Sequence, residues 1–522
     1  MKLGEGKVLV LNTESLLMLA KSYSAAISGV EALPVVVEVN TGEEGEMRLI
    51  LVGLPDTAVR ESQDRVTSAL QESHFKTPFT RTTINLAPGT LRKEGPMYDL
   101  PIALTILAAT QQIPRCSLDD FLIAGELGLS GETRPIRGAL SIALLAKKQG
   151  RKGVLLPRES AMEAAIIPNI DIYAVDKLDQ AAHFLSRTLD LKPLEKSIHN
   201  KPLKIPALDF SDVKGQYRVV RAIEVAIAGN HNILMIGPPG SGKSMIAKRI
   251  PTIMPAPNLE EKIEIQKIYS AAGLNYCLHS ENRPFRAPHH TISDVGLLGG
   301  GSIPKPGEIS LAHLGVLFLD ELPEFRRSTL EVLRQPLEDS CVTISRSAAT
   351  VTLPASFSLV AAMNPTPDGF AINKGIRSRS TPAQIQKYRA RISQPLLDRI
   401  DIQVEVDSVS VQDLENQSGN VPSSVIRSRV ELARERQKQR FSGMYYNASM
   451  SGKVLEQSVH YSDQQKNLLR QAINKMHLSA RAYDRIRKVS LTIADLEGSD
   501  TIKDAHLLEA IQYRSLDRND YI

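Results

Sequence analysis

The sequence predicts an α/β protein with a parallel sheet at its centre, and three short apolar runs support that prediction. They are residues 233–236, 315–319 and 357–362, the last with Ser358 as its one polar residue; a glycine-rich turn follows the first run, Asp320 and Glu321 follow the second, and Met363 and Asn364 follow the third. Mainly apolar runs of this length are typical of strands that are buried on both faces of a parallel sheet. A glycine-rich turn and a helical pattern follow the first run, which gives the strand–loop–helix order of such sheets.

The turn after the first run matches the phosphate-binding pattern G-x-x-x-x-G-K-[ST]. Its eight residues are Gly237, Pro238, Pro239, Gly240, Ser241, Gly242, Lys243 and Ser244. Glycines let backbone N–H groups turn toward phosphate oxygens, and the helix N-terminus adds positive potential. Lys243 is expected to reach the β- and γ-phosphates of ATP, and the Ser244 hydroxyl to bind Mg²⁺. The alternative is a glycine-rich turn before an ordinary helix.

The second run ends in two adjacent carboxylates, Asp320 and Glu321. Asp320 is expected to hold Mg²⁺, directly or through water, and Glu321 to orient and activate the attacking water. An acidic pair after an apolar strand often only starts a helix. Combined with the phosphate loop, it favours the catalytic interpretation, so ATP and Mg²⁺ are the expected cofactors.

Composition sets the broad class of the protein. A chain of 522 residues is too long for one core, so two to four domains are expected. The net charge of +5 is compatible with a polyanionic partner without establishing one. Three isolated cysteines, Cys116, Cys277 and Cys341, indicate a reducing compartment. No signal peptide and no run of membrane-spanning length is present, so a cytoplasmic protein without a membrane partner is predicted.

Residues 1–187 are expected to form a compact α+β domain. Strand-like residues 35–39 and 47–52 flank a turn signal at 41–45, which predicts a hairpin. Residues 56–73 and 100–109 are predicted helices, the first with Asp56 as a cap. The stretch 188–206 contains several Lys and Pro residues and is predicted to be a linker.

Two blocks of this domain, residues 94–103 and 125–138 continuing to 154–157, resemble the proteolytic domain of Lon proteases. Those enzymes use a serine that a lysine activates. Met97 and Leu140 stand at the positions expected for that dyad. Because neither side chain can do this chemistry, the resemblance implies a Lon-like fold without peptidase activity, used for assembly or DNA contact.

Residues 207–407 resemble an AAA+ ATPase core. The segment 212–216 is similar to the one that borders the adenine, and Asn364, after the third apolar run, resembles the sensor 1 residue that places water beside the γ-phosphate. Arg399, in segment 394–401, resembles the arginine finger of the minichromosome-maintenance and magnesium-chelatase branch, which implies action on a neighbouring subunit and hence a ring. An ordinary turn at Asn364 and a surface salt bridge at Arg399 are the alternatives.

Two insertions resemble those of the same branch. Residues 270–312 contain Arg283 and Arg286, and residues 342–353 alternate like a β-hairpin with Arg346 near its tip. These three arginines are the candidate DNA contacts, with simple solvation as the alternative for Arg346. The pair His289–His290, with Cys277 and His279 nearby, fits no common metal site. Residues 366–381 lack cysteine, so no zinc is expected there.

Residues 408–522 are predicted to form a helical lid. The predicted helix 425–441 is basic, but acidic side chains alternate with the basic ones. A solvated, salt-bridged face is therefore the default interpretation, and a DNA-facing stripe is the alternative. Residues 478–485 resemble the sensor 2 region, which implies that Arg481 contacts nucleotide.

The order of these parts resembles the YifB/ComM family of magnesium-chelatase-like ATPases. That resemblance implies an ATP-driven hexameric DNA motor, a helicase that promotes branch migration and integration of single-stranded DNA during homologous recombination in natural transformation. The implied partners are single-stranded and branched DNA, further copies of the chain and a recombinase. A magnesium-chelatase-like ATPase that remodels a protein partner is the alternative, and a peptidase is disfavoured by Met97 and Leu140.

Overall fold

The structure is a computed structural model whose described residues divide into two compact units. The described ranges are 19–43, 48–78, 80–195, 208–274, 276, 281–301, 304–345, 350–369, 380–409, 421–441 and 446–514. Unit 1 comprises residues 1–199 with 270–275, and unit 2 comprises 200–269 with 276–522. The four-part division predicted from the sequence is finer than this split and stays a prediction.

Unit 1 is a mixed α/β unit. Its strands are β1 Leu19–Ser28, β2 Glu31–Glu43, β3 Leu49–Val52, β4 Arg81–Ala87, β5 Phe121–Ile123, β6 Glu126–Leu127, β7 Thr133–Arg134, β8 Gly153–Pro157 and β9 Asp171–Val175. Its helices are α1 Thr57–Arg60, α2 Ser62–Glu72, α3 Asp99–Ala109, α4 Ala139–Lys148, α5 Arg158–Ala164 and α6 Leu178–Leu185. Seven strands form one sheet in the order β3-β4-β2-β1-β5-β8-β9.

The hairpin predicted between residues 35–39 and 47–52 is wrong. Strand β2 pairs antiparallel with β1 on one side and with β4 on the other, and β3 pairs in parallel with the far side of β4. Alternation shows which face of a strand is buried, but it does not choose the neighbouring strand. The helix predicted over residues 56–73 is divided into α1 and α2, the one predicted over 100–109 is α3, and the Asp56 carboxylate caps α1 by accepting from the Val59 N–H at 2.8 Å.

Unit 2 holds the phosphate loop. Its strands are β10 Ile233–Ile236, β11 Phe285–Arg286, β12 Gly299–Gly300, β13 Lys305–Pro306, β14 Val316–Leu319, β15 Cys341–Ser345, β16 Thr350–Pro354, β17 Ser358–Met363 and β18 Ile402–Glu405. The helices that follow unit 1 along the chain are α7 Tyr217–Gly229, α8 Lys243–Ala247, α9 Leu259–Ala272, α10 Asp294–Leu298, α11 Glu308–Leu311, α12 Arg327–Glu331, α13 Arg334–Asp339, α14 Pro382–Arg389, α15 Gln394–Leu397, α16 Ser423–Phe441, α17 Gly452–Ser458, α18 Asp463–Met476, α19 Ala480–Leu496 and α20 Asp504–Gln512.

Five strands of unit 2 form a fully parallel sheet in the order β11-β14-β17-β10-β18. The three apolar runs of the sequence are its central strands β14, β17 and β10, as predicted. In register, Ile236 at the end of β10 lies opposite Met363 at the end of β17. The polar residues after these strands therefore leave the sheet at one carboxyl edge, where ligands of open α/β sheets bind.

The C-terminal helices share a hydrophobic core with this sheet. Helices α16 and α19 pack on α7, and Val430 and Val489 belong to the same buried cluster as Ile223 and Ile233. The predicted hairpin is also present, because β15 and β16 pair antiparallel from Cys341–Pro354 to Ser345–Thr350. Its tip, residues 346–349, lies outside the described residues.

Candidate nucleotide-hydrolysis site

The phosphate loop needs its glycines for two physical reasons. Gly240 and Gly242 have φ values of +76° and +91°, a region that L side chains rarely adopt. Gly237 has a different constraint, because a Cβ there would lie 2.2 Å from the carbonyl oxygen of Val406, just after β18. The loop therefore fits tightly between the ends of β10 and β18 and turns directly into α8.

Lys243 connects the loop to the third apolar run. Its Nζ donates to the carbonyl oxygens of Gly237 at 2.6 Å and Pro238 at 2.9 Å, and to Asn364 Oδ1 at 3.2 Å. Burial lowers the pKa of the Lys243 ammonium, and the nearby Asp320 and Glu321 partly offset this. The lysine and the sensor 1 candidate, which are 121 residues apart in the sequence, thus form one cluster.

The two predicted magnesium ligands also meet. The Ser244 hydroxyl donates to Asp320 Oδ2 at 2.5 Å. The Ser244 hydroxyl at the start of α8 and the Asp320 carboxylate after β14 give the oxygen ligands that Mg²⁺ prefers, and Mg²⁺ usually takes only one or two such protein ligands. The residues present therefore fit a Mg²⁺ ion that is also bound by nucleotide phosphates.

Glu321 follows Asp320 in a constrained conformation. Its φ is +52°, and its N–H donates to Asp320 Oδ1 at 3.0 Å. Its half-exposed carboxylate lies 3.4 Å from Nδ1 of His290, whose ring packs on His289 with centroids 4.1 Å apart. Left-handed backbone at a non-glycine residue is uncommon and concentrates at functional sites. The sequence presented His290 only as part of a histidine pair that fits no common metal site, and no local pattern indicated its contact with Glu321.

Arg399 lies at the amino-terminal ends of the parallel strands, whereas the phosphate loop lies at their carboxyl-terminal ends. The side chain of Asn232, which precedes β10, donates to the Arg399 carbonyl at 2.9 Å, and the Asp401 N–H donates to the Asn232 carbonyl at 3.0 Å. The phosphate loop follows the other end of β10, which is about 13 Å long at roughly 3.3 Å per residue. The Arg399 guanidinium is buried and bonded to the Pro395 carbonyl at 2.6 Å and to Glu338.

Arg481 belongs to the same edge as Arg399. Its side chain is 63% exposed, and its Nη1 lies 3.2 Å from Asp398 Oδ2, one residue before Arg399. The sequence had assigned this arginine to nucleotide contact without saying to which subunit's nucleotide. The structure places it beside the arginine-finger candidate.

The two described DNA-contact candidates make internal bonds. Arg283 is buried, and its guanidinium bonds to both Glu261 oxygens, at 3.0 and 2.8 Å, and to two backbone carbonyls. Arg286 forms a two-pronged pair with Glu308, at 2.6 Å for each bond. Both guanidiniums are engaged by internal partners in this arrangement, as that of Arg399 is by Glu338, and Arg283 and Arg286 stay predicted DNA contacts. Arg346 lies outside the described residues.

The basic helix α16 also makes ion pairs within unit 2. Arg429 contacts Glu224 at 2.7 Å, Arg436 contacts Asp500 at 3.0 Å, and Arg440 pairs with both oxygens of Asp495. These contacts favour the salt-bridged interpretation of the helix over a DNA-facing stripe.

Three further expectations concern unit 1, metals and membranes. Met97 and Leu140 are buried, at 7% and 0% exposure, as apolar side chains of unit 1.

Within the described ranges, no group of three His, Cys, Asp or Glu side chains could hold a metal ion; Cys277, His279 and residues 370–379 lie outside them. No helix in the described part of the chain has the length and apolar character needed to span a bilayer.

Three family models match the chain. The model of magnesium chelatase subunit ChlI matches residues 209–414, a second ChlI model matches 37–160, and the ChlI C-terminal model matches 420–514. The competence protein ComM of Haemophilus influenzae is 42% identical over 96% of this chain and 98% of its own length. YifB of Escherichia coli is 41% identical over 95% and 97%. The Lon protease of Rhizobium meliloti is 30% identical over 25% of this chain and 17% of its own length. These matches and the parallel sheet confirm the predicted AAA+ core and the Lon-like N-terminal fold.

Proposed function

Because the chain belongs to the YifB/ComM family of magnesium-chelatase-like AAA+ proteins, we propose that it is an ATP-driven DNA motor. It forms a hexameric ring and promotes branch migration and integration of single-stranded DNA during homologous recombination in natural transformation. The observation that carries the proposal is the convergence of Lys243, Ser244, Asp320 and Asn364 at one sheet edge in a relative of a competence protein.

The chemistry at that edge is ATP hydrolysis. Mg²⁺ bound to ATP neutralises phosphate charge, and Ser244 with Asp320 would hold it. Lys243 would exchange its backbone carbonyl partners for phosphate oxygens, a change that burial favours because the ammonium is poorly solvated. Glu321 would accept a proton from the attacking water, and Asn364 would orient that water.

The position of Arg399 supports a ring. A residue at the amino edge of the sheet cannot reach a phosphate bound at the carboxyl edge of its own subunit, about 13 Å away across β10. An arginine that stabilises transition-state charge from this position must therefore serve a neighbouring subunit. Closed rings arise when such head-to-tail contacts repeat.

The DNA substrate is proposed from the relative and from charge. It is supported by the name of the competence-protein relative and by the net charge of +5, which suits contacts to DNA phosphates; Arg346, a candidate for such a contact, lies outside the described residues. Phosphate contacts of this kind give sequence-independent affinity that weakens as salt rises.

The deciding experiment is the steady-state ATPase rate without DNA, with single-stranded DNA and with branched DNA, at low and moderate salt. We expect strong stimulation by DNA that fades with salt, followed by ATP-dependent branch migration of a synthetic junction. The Glu321→Gln variant, assayed in parallel, controls for contaminating ATPases. A rate that is indifferent to DNA would overturn the motor proposal.

That result would favour a second function, an ATPase that remodels a protein partner. The observation behind this alternative is that all three matching family models describe magnesium chelatase ChlI.

A further inference from the structure

Residues 398–403, which we call the finger segment, are bonded at four positions to helix α19 and to the two residues that follow α20. Asp398 pairs with Arg481 at the start of α19, and the Gln403 N–H donates to the Tyr513 carbonyl at 2.9 Å. The Ile400 carbonyl accepts from Arg514, and the Asp401 carboxylate pairs with Arg485. Arg399 thus stands in a segment that α19 and the residues after α20 contact on both of its sides.

Asp401 is the centre of these contacts. Its carboxylate is 3% exposed, lies 3.3 Å from His231 Nδ1 and accepts from the Asn232 N–H at 3.2 Å. The other nitrogen of the His231 ring lies 2.8 Å from the Thr492 hydroxyl on α19. Asp401 is therefore linked to α19 directly through Arg485 and indirectly through His231.

These bonds should make the segment rigid. Asp401, His231 and the guanidinium of Arg514 are buried, and buried charge-assisted bonds resist exchange with water. Burial lowers the pKa of Arg485 to about 10, so it remains charged at neutral pH. Removing Arg485 would leave the Asp401 carboxylate with only His231 and the Asn232 N–H among the described residues, and removing Arg514 would take a donor from the Ile400 carbonyl.

We propose that Arg485 and Arg514, together with Arg481, are positioning residues that hold Arg399 for the nucleotide site of the neighbouring subunit. The lid of one subunit thereby controls ATP hydrolysis in the next. The proposal rests on the proposed function, because it takes hydrolysis across a subunit interface as given. The ligand that Arg399 would meet is the triphosphate of ATP bound by the neighbour.

The test distinguishes a defect in the phosphate loop from a defect in the finger segment by mixing two variants of the protein. Arg485→Ala keeps an intact phosphate loop but loosens Arg399, whereas Glu321→Gln has an intact finger segment and an inactive site. We expect Arg485→Ala alone to hydrolyse ATP at least about tenfold more slowly, since a bond to a charged group is lost, while it binds a fluorescent ATP analogue normally. Mixing the two variants should restore activity, because Arg485→Ala sites would then be served by intact neighbours.

Two further variants guard against misfolding and nonspecific effects. Arg481→Ala removes an exposed side chain and should fold; it should show a smaller loss that mixing also restores. Arg436→Ala is the matched control, because it removes a lid ion pair to Asp500 away from the finger segment. It should leave the rate unchanged.

The outcomes distinguish this inference from the proposed function. No hydrolysis by the unaltered protein would remove the proposed function itself. Rescue of Arg399→Ala by Glu321→Gln, without rescue of Arg481→Ala or of a folded Arg485→Ala, would overturn only the lid inference. In that case the lid arginines would act on their own subunit's nucleotide. Full activity of Arg485→Ala by itself would also overturn it.

Discussion

At the scale of single residues, Lys243 is the group on which nucleotide binding depends most. It is buried, and its present partners are two carbonyls of its own loop and the Asn364 amide oxygen. Lys243→Ala should lower the affinity for ATP by tenfold or more, because a charged contact to phosphate contributes about 1.5–3 kcal/mol. Equilibrium binding of a fluorescent ATP analogue measures this. The control is Lys248→Ala, directly after α8, which should bind the ATP analogue with unchanged affinity. Equal affinity of the two variants would show that Lys243 does not contact the nucleotide.

Replacing Glu321 should affect ATP hydrolysis and leave ATP binding intact. Glu321→Gln preserves the shape of the side chain but removes the base, so we expect ATP to bind while hydrolysis falls about a hundredfold or more. Single-turnover hydrolysis and nucleotide binding, measured on the same preparation, test this. A variant that turns over normally would show that another group activates the water.

Among the elements, helices α16 and α19 are joined by an ion pair. Arg440 bonds to both oxygens of Asp495, whose side chain is fully buried and also accepts from Asn447 Nδ2 at 2.8 Å. Arg440→Ala should reduce the free energy of unfolding by about 3 kcal/mol, because it leaves a buried carboxylate without its charged partner. Urea unfolding measures the change.

The same helix supplies the control for that measurement. Arg436 pairs with Asp500, which is 93% exposed, so Arg436→Ala should change the free energy of unfolding by less than about 1 kcal/mol. Equal losses in the two variants would mean that burial does not distinguish the two pairs.

At the scale of the whole molecule, the prediction concerns two copies of the chain. Arg399→Ala should abolish hydrolysis while leaving nucleotide binding intact, since Arg399 and the phosphate loop lie at opposite edges of one sheet. Mixing with Glu321→Gln subunits should restore hydrolysis at intermediate ratios. If mixed rings form but hydrolyse no ATP at any ratio of the two variants, Arg399 would act on the nucleotide of its own subunit.

Unit 1 has its own prediction at this scale. Met97 and Leu140 are buried, and the sequence predicts that they stand at the two dyad positions of a Lon-like unit, so the protein should not digest casein with or without ATP. Appearance of peptide products that persist in a Glu321→Gln preparation would revive the peptidase alternative.

Elements whose chemistry is local could be predicted from the sequence. The phosphate loop, the acidic pair and the three apolar runs could be identified because glycine spacing, charge and mainly apolar runs each have a short-range physical cause. Helix caps such as Asp56 belong to the same class. The AAA+ core and the Lon-like unit were recognisable from these motifs and their order.

Contacts between distant residues became evident from the folded structure. The sequence did not show that β4 separates β2 from β3, that Arg283 is bonded internally, or that His290 contacts Glu321. Nor did it place Arg481 beside Asp398 or join Asp401 to α19. Strand order and long-range ion pairs depend on packing between segments far apart in the chain, and no local pattern specifies the partner. For that reason the candidate hydrolytic residues could be proposed one by one from the sequence, whereas the contacts of the finger segment with the C-terminal helices required the fold.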